Sequence, residues 1–139
     1  MKDALDPRTP VIVGVGQFSE RVEDDGYQGL SAVDLAARAA AEALADPGVE
    51  PGALARRIDT VGGIRQFEIS TPNAPAPLGR STNYPRSVAN RVGADPARAI
   101  LEIAGGQGPQ HLLTELAASI ASGQTQVALI FGSEAISTV

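Results

Sequence analysis

The sequence predicts an α/β fold, with a mostly parallel sheet and helices on both of its faces. Two observations carry this. Short β-branched runs alternate with helix-period segments three times, which is the pattern of right-handed βαβ units. The first of these runs, residues 10–18, is also densely β-branched rather than alternating, as expected of a strand covered on both sides.

The first strand is expected in "PVIVGVGQF", residues 10–18, a dense β-branched run behind a proline. An acidic loop follows it. "LSAVDLAARAAAEALADPG" then predicts the longest helix. Ser31 is placed to cap it, with Asp34 three residues on in a short capping box. Leu30 and Leu35 stand as a hydrophobic staple, and Val33, Ala36, Ala37, Ala40 and Leu44 form one apolar face. Asp46, Pro47 and Gly48 stop the helix. "IDTVGGIRQF" (residues 58–67) is the second expected strand, weakened by Gly62 and Gly63.

The segment around Pro72, Pro75 and Pro77 is loop, read as an ordered excursion rather than an interdomain linker. Pro85 suits a helix first turn, with Val88 and Val92 one turn apart and Gly93 at the end. "ARAILEIAG" (residues 97–105) is the third expected strand. Pro109 then opens a helix at N1 whose apolar positions are Leu112, Leu113, Leu116, Ala117 and Ile120, with Gly123 as its C′ residue. "QVALIFGSEA" (residues 126–135) is the fourth expected strand, and the first strand is expected at the sheet centre.

Composition excludes several chemistries. The net charge is −5 and the basic residues are dispersed, which argues against nucleic acid or an anionic membrane as partner. The chain has no cysteine, so thiol catalysis, disulfides and thiolate metal sites are absent together. One histidine, His111, without clustered carboxylates argues against catalytic zinc. The N-terminus lacks an apolar signal core, and no run approaches membrane-spanning length, so the expected location is the cytoplasm.

The stretch with most chemical interest is "AGGQGPQHLL", residues 104–113. Glycines 105, 106 and 108 fall where a strand gives way to a helix. Two readings are open. The N–H groups near Gly106 to Gly108, at the positive end of a helix, form an oxyanion or anion pocket with Gln107 and His111 beside it. Alternatively, the glycines serve only a tight turn that needs positive φ. His111 has no nucleophile to activate, and Glu134, just past the fourth strand, has two readings, a catalytic carboxylate or, more commonly at a strand end, a partner for nearby backbone N–H groups. "GVGQF" (residues 14–18) fails as a dinucleotide fingerprint, since the third glycine is missing and the helix starts too late.

Taken together, several segments resemble the N-terminal half of the thiolase superfamily, the acetyl-CoA acetyltransferases. "TPVIVGVGQF", "SAVDLAARAAAEAL", "NYPRSVANRVGADPARAI" and "AASIASGQTQVALIFGSEAIS" appear in the family's order and spacing. Gly123, Gly132 and Glu134 match the glycine, acidic residue, apolar run and Gly-Gly-Met-Glu-Ser that close that half. The resemblance implies a five-stranded sheet with four strands here. It also implies that residues 1–139 are an incomplete N-terminal domain, leading a longer chain that supplies the fifth strand. It implies a dimer too, formed near residues 97–103, an expectation that Glu102 in that strand weakens.

In this family the acyl-accepting cysteine opens the third helix in a Cys-small-Ser-Gly turn. Counting back from Gly123 without a gap places the cysteine on Gly106, its serine on Gly108 and its glycine on Pro109. The implied protein binds an acyl-CoA or related thioester, needs no other cofactor, and forms no covalent acyl-enzyme at Gly106. Two other readings follow from the same resemblance. One is a non-covalent thioester decarboxylase using Gln107; the other is an inactive subunit completing a hetero-oligomer with a thiolase-like partner.

Overall fold

The computed structural model describes residues 4–67 and 69–136. Its elements are α1 (Ala32–Ala45), α2 (Pro51–Ala55), β1 (Thr60–Ile64), α3 (Tyr84–Arg91), β2 (Arg98–Glu102), α4 (Gly108–Ala121) and β3 (Ala128–Phe131). The strands form one parallel sheet in the order β2-β1-β3. Thr60 lies opposite both Arg98 and Ala128, and Gly63 lies opposite Leu101 and Phe131.

Helices cover both faces, and the two glycines of β1 set how closely. A Cβ on Gly62 would fall 2.6 Å from Leu112 of α4. One on Gly63, which faces the other way, would fall 3.1 Å from Phe131 and 3.3 Å from Tyr84 of α3. The residues that weaken β1 as a strand by propensity are therefore what lets a bulky side chain seat on each face.

The main core lies on the α1 and α3 side. Val61, Ala36 and Val88 are fully buried there, joined by Val33, Ala40, Leu44 and Leu129. Tyr84 and Phe131 meet edge to face, with ring centroids 5.2 Å apart. The Tyr84 hydroxyl is 2.7 Å from Ser133 Oγ, which donates to the Ala32 carbonyl, so a buried phenol is satisfied and α1 is tied to the end of β3. Opposite, Leu112 and Leu116 are the buried anchors of α4. Thr125 Oγ1 bridges Ser119 (2.7 Å) and Thr60 (3.2 Å), fastening the far end of α4 to β1.

The helix signals are realised with small shifts. Ser31 Oγ accepts from Asp34 N–H at 3.2 Å, and donates to the Asp34 carboxylate. Asp34 also receives Arg91 at 2.6 Å; the Ser31 hydroxyl first, then Arg91, hold its carboxyl below the usual range. Gly93 and Gly123 have φ of +78° and +80°, as left-handed residues closing α3 and α4. Pro109 is the second rather than the first residue of α4. The short helix α2 was not expected. Its signals were Pro51 at the first position and Glu50 before it, whose carboxylate accepts from Gly52 and Ala53 N–H.

One expectation is corrected. Residues 10–18 form no strand, so the sheet has three strands among the described residues, and β1 is central. The segment runs extended along α1. Cβ atoms on Gly14 and Gly16 would each fall 2.2 Å from a helix carbonyl, of Ala43 and Ala39 respectively. Val15 N–H donates to Asp46 Oδ2 at 2.9 Å. Val11, Ile12, Val13 and Val15 remain exposed, because a β-branched run favours extended backbone but a strand also needs a partner edge. The other three strands are shorter than expected at both ends.

Candidate functional site

β2 ends at Glu102, and six residues later α4 begins; the glycine turn occupies the interval. Gly105 has φ of +147°, a conformation side chains rarely adopt, and its carbonyl accepts the N–H of Gly108 at 3.0 Å. Gly108 is buried, and a Cβ on it would fall 3.0 Å from the Ile103 carbonyl. Glycine at 105 and 108 is thus explained by backbone geometry. The Gly108 N–H is engaged within the turn, which removes it from the expected set of anion donors.

Gly106 differs from both. Its φ is unexceptional and a Cβ there would meet nothing within 4 Å. Neither strain nor crowding requires glycine, and a cysteine would fit. Gly106 and Gln107 are exposed, and their N–H groups meet no acceptor among the described residues. They point from the N-terminal end of a 14-residue helix, where four N–H groups lack intrahelical partners. The Gln107 side chain caps nothing and lies back against Gly105, where a Cβ would fall 2.6 Å from its Oε1.

His111, expected at N3, falls at the fourth position of α4, and the structure gives it a partner. Its Nδ1 is 2.6 Å from Glu102 Oε2, and its Nε2 is 4.0 Å from Glu115 Oε1, one turn along. Glu102 is only 11% exposed although it lies on an edge strand, and its second oxygen accepts the Ile103 N–H at 2.8 Å. The hydrogen bond to Glu102 and the charge of that carboxylate raise the His111 pKa, with Glu115 adding to the effect. Glu102 is lowered in turn, by His111 first and the Ile103 N–H second. Sequence reasoning treated Glu102 as an awkward strand residue. The missed signal was its nine-residue spacing to the single histidine, across a strand-to-helix turn.

Glu134 stands apart from this cluster. Its Oε1 accepts the Phe67 N–H at 3.0 Å, linking the ends of β3 and β1, as the expectation of a backbone partner has it. No group of three or more metal-ligating side chains occurs among the described residues. No helix there is long and apolar enough to cross a membrane.

No protein-family model and no curated protein matches the chain. Among solved structures it is similar to a monomeric SCP2-thiolase like protein type 1 from Mycobacterium smegmatis, with 52% identity and a TM-score of 0.76. The match covers 95% of this chain and 25% of that one, so the chain spans about a quarter of that protein's length. The parallel sheet, its helices on both faces and this likeness agree: the chain has an SCP2-thiolase-like α/β fold.

Proposed function

We propose that this chain provides the thioester-facing turn of a thiolase-like protein that binds an acyl-CoA or related thioester without forming an acyl-enzyme. The observation that carries the reading is Gly106. It sits between β2 and α4, beside unpartnered N–H groups, in a space that admits a side chain and holds none. The N–H groups of Gly106 and Gln107 would donate to the thioester carbonyl oxygen, as helix-terminal donors do toward developing negative charge. No atom at position 106 can attack the carbonyl carbon, so catalysis there has no covalent intermediate. The similar Mycobacterium smegmatis protein is described as monomeric, which favours one copy over the dimer that the wider resemblance implies.

Intact-mass measurement after incubation with acetoacetyl-CoA tests the reading. The unsubstituted chain is expected to stay unmodified while calorimetry registers binding of acetyl-CoA. The variant Gly106→Cys is expected to fold normally and to react with iodoacetamide with a midpoint below the ordinary thiol value of about 8.5, through the helix terminus. An acyl adduct on the unsubstituted chain would end the proposal.

A further inference from the structure

Two large grooves mark the described surface. One, of about 620 Å³, is an apolar channel between residues 10–16 and β3 and belongs to the sheet itself. The other, of about 520 Å³, runs along the outer side of α1, bordered by Pro51 and Gly52 of α2 and by Arg91 and Val92 at the end of α3. Asp34, Ala37, Arg38, Ala41 and Leu44 line it from α1. Their three- and four-residue spacing makes a second stripe, turned away from the Val33, Ala36 and Ala40 stripe in the core. From Asp34 to Leu44 it runs about 15 Å at the rise of an α-helix.

Charge is unevenly placed along this stripe. Asp34 and Arg91 hold each other at 2.6 Å, and the Ser31 hydroxyl donates to the same carboxylate. Arg38 has no carboxylate within ion-pair distance among the described residues. It reaches back toward the start of α1, 3.5 Å from Gln28 Oε1 and 5.7 Å from the centre of the Phe18 ring. The groove therefore holds one surplus positive charge near its Asp34 end. Ala41, Leu44 and Pro51 make the rest apolar.

We infer that this groove binds a small amphiphilic monocarboxylate, its head on Arg38 and its aliphatic body along Ala41 and Leu44 toward Pro51. A guanidinium meets a carboxylate through two parallel N–H···O bonds, and beside an apolar floor that pair is less screened than in open water. One surplus charge matches a monoanion, whereas a ligand rich in phosphate would also confront Asp34. The volume lies within the range of small-molecule sites, about 300–1,000 Å³, which are mostly apolar with a few converging polar groups. Ala37 and Ala41 project only methyl groups, so an unbranched chain can lie lengthwise between Leu44 and Val92. The net charge of the chain is −5, so the attraction for an anion is a local property of this groove. The inference uses no part of the glycine turn and stands or falls independently of thioester binding.

The probe is octanoate, titrated into the full chain well below its micelle-forming concentration and followed by heteronuclear NMR. Saturable shifts are expected at residues 37–44 and 51–52, with the Arg38 Nε–H signal moving most. Acetate, which has the head alone, and octanol, which has the body alone, should each bind at least tenfold more weakly. Octylammonium should not bind. Arg38→Gln should weaken octanoate at least tenfold, and Ala41→Leu, at an exposed position, should do the same by filling the floor. Circular dichroism checks that both variants stay folded. Arg57→Gln, an exposed guanidinium outside the lining, should change binding less than twofold. Octanol binding as tightly as octanoate, shifts confined to residues 104–111 or to the channel beside β3, or no saturable shift would each overturn the inference. So would sedimentation showing a dimer that Ala41→Leu dissociates, which would place a second copy in the groove.

Discussion

The two edges of this three-stranded sheet are built differently. The β2 edge reads Arg98-Ala-Ile-Leu-Glu102, with a charge at each end. Glu102 turns inward, its carboxylate occupied by His111 and by the Ile103 N–H. Charged and inward-turned residues are a common means of keeping a strand edge from pairing with another chain. The β3 edge reads ALIF and faces an apolar channel. One edge carries its own protection and the other presents an apolar run without any. The contrast also bears on the dimer, because the edge through which the family resemblance would join two copies is the guarded one.

The largest expected effect lies beneath the open edge. Leu116 is 2% exposed, anchoring α4 below the channel. Leu116→Ala should cost about 3 kcal/mol in chemical denaturation, from lost burial and an incompletely collapsed cavity. A loss below about 1 kcal/mol would mean that the α4 side is not a packed face.

The guarded edge should fail in a different way. Glu102→Val removes the inward charge beside the already exposed Leu101 and Ile103. Concentration-dependent association is expected in analytical ultracentrifugation, against a monomer for the parent chain; a persistent monomer would remove the guard role.

A smaller effect is the pH response. Because His111 is raised in the folded state, the stabilisation from its pair is fully present below the ordinary imidazole value of about 6.5 and fades as pH climbs through the raised value. Glu102 is lowered, so its share is present above about 4.3 and is lost as pH falls through the depressed value. NMR titration should show the His111 pKa dropping toward 6.5 in Glu102→Gln. An unchanged value would show that the short contact does not persist in solution.

The smallest effect is the most telling for the channel. Ile12→Ser, apolar to polar within a β-branched run, should change the stability of the 139-residue chain by less than about 0.5 kcal/mol, since the side chain is largely exposed. A core-sized loss would mean that residues 10–16 are already packed in solution.

Local rules made much of this legible in the sequence. Ser31 and Asp34, Gly93, Gly123 and the apolar stripes of α1 and α4 act within a turn or two of chain, so residue type suffices to read them. The strand-to-helix junction that holds Gly106 was also legible, from the apolar run before it and the helical period after it. The rest depended on pairing. The run at 10–18 has the composition of a strand, but hydrogen bonds to a neighbour make a strand, and no local pattern names the neighbour. The Glu102–His111 pair was hidden for the same reason: it joins two elements whose approach is set by packing.

The chain alone therefore determined its alternation of elements, its helix ends and its lack of any cysteine, because these follow from backbone preference and side-chain identity at single positions. Only the tertiary structure decided the strand order, the channel beside β3, and which glycines are steric necessities. These depend on distances between segments far apart in sequence. Gly14 and Gly16 lie against α1, and Gly62 lies against Leu112, where a single Cβ atom would not fit.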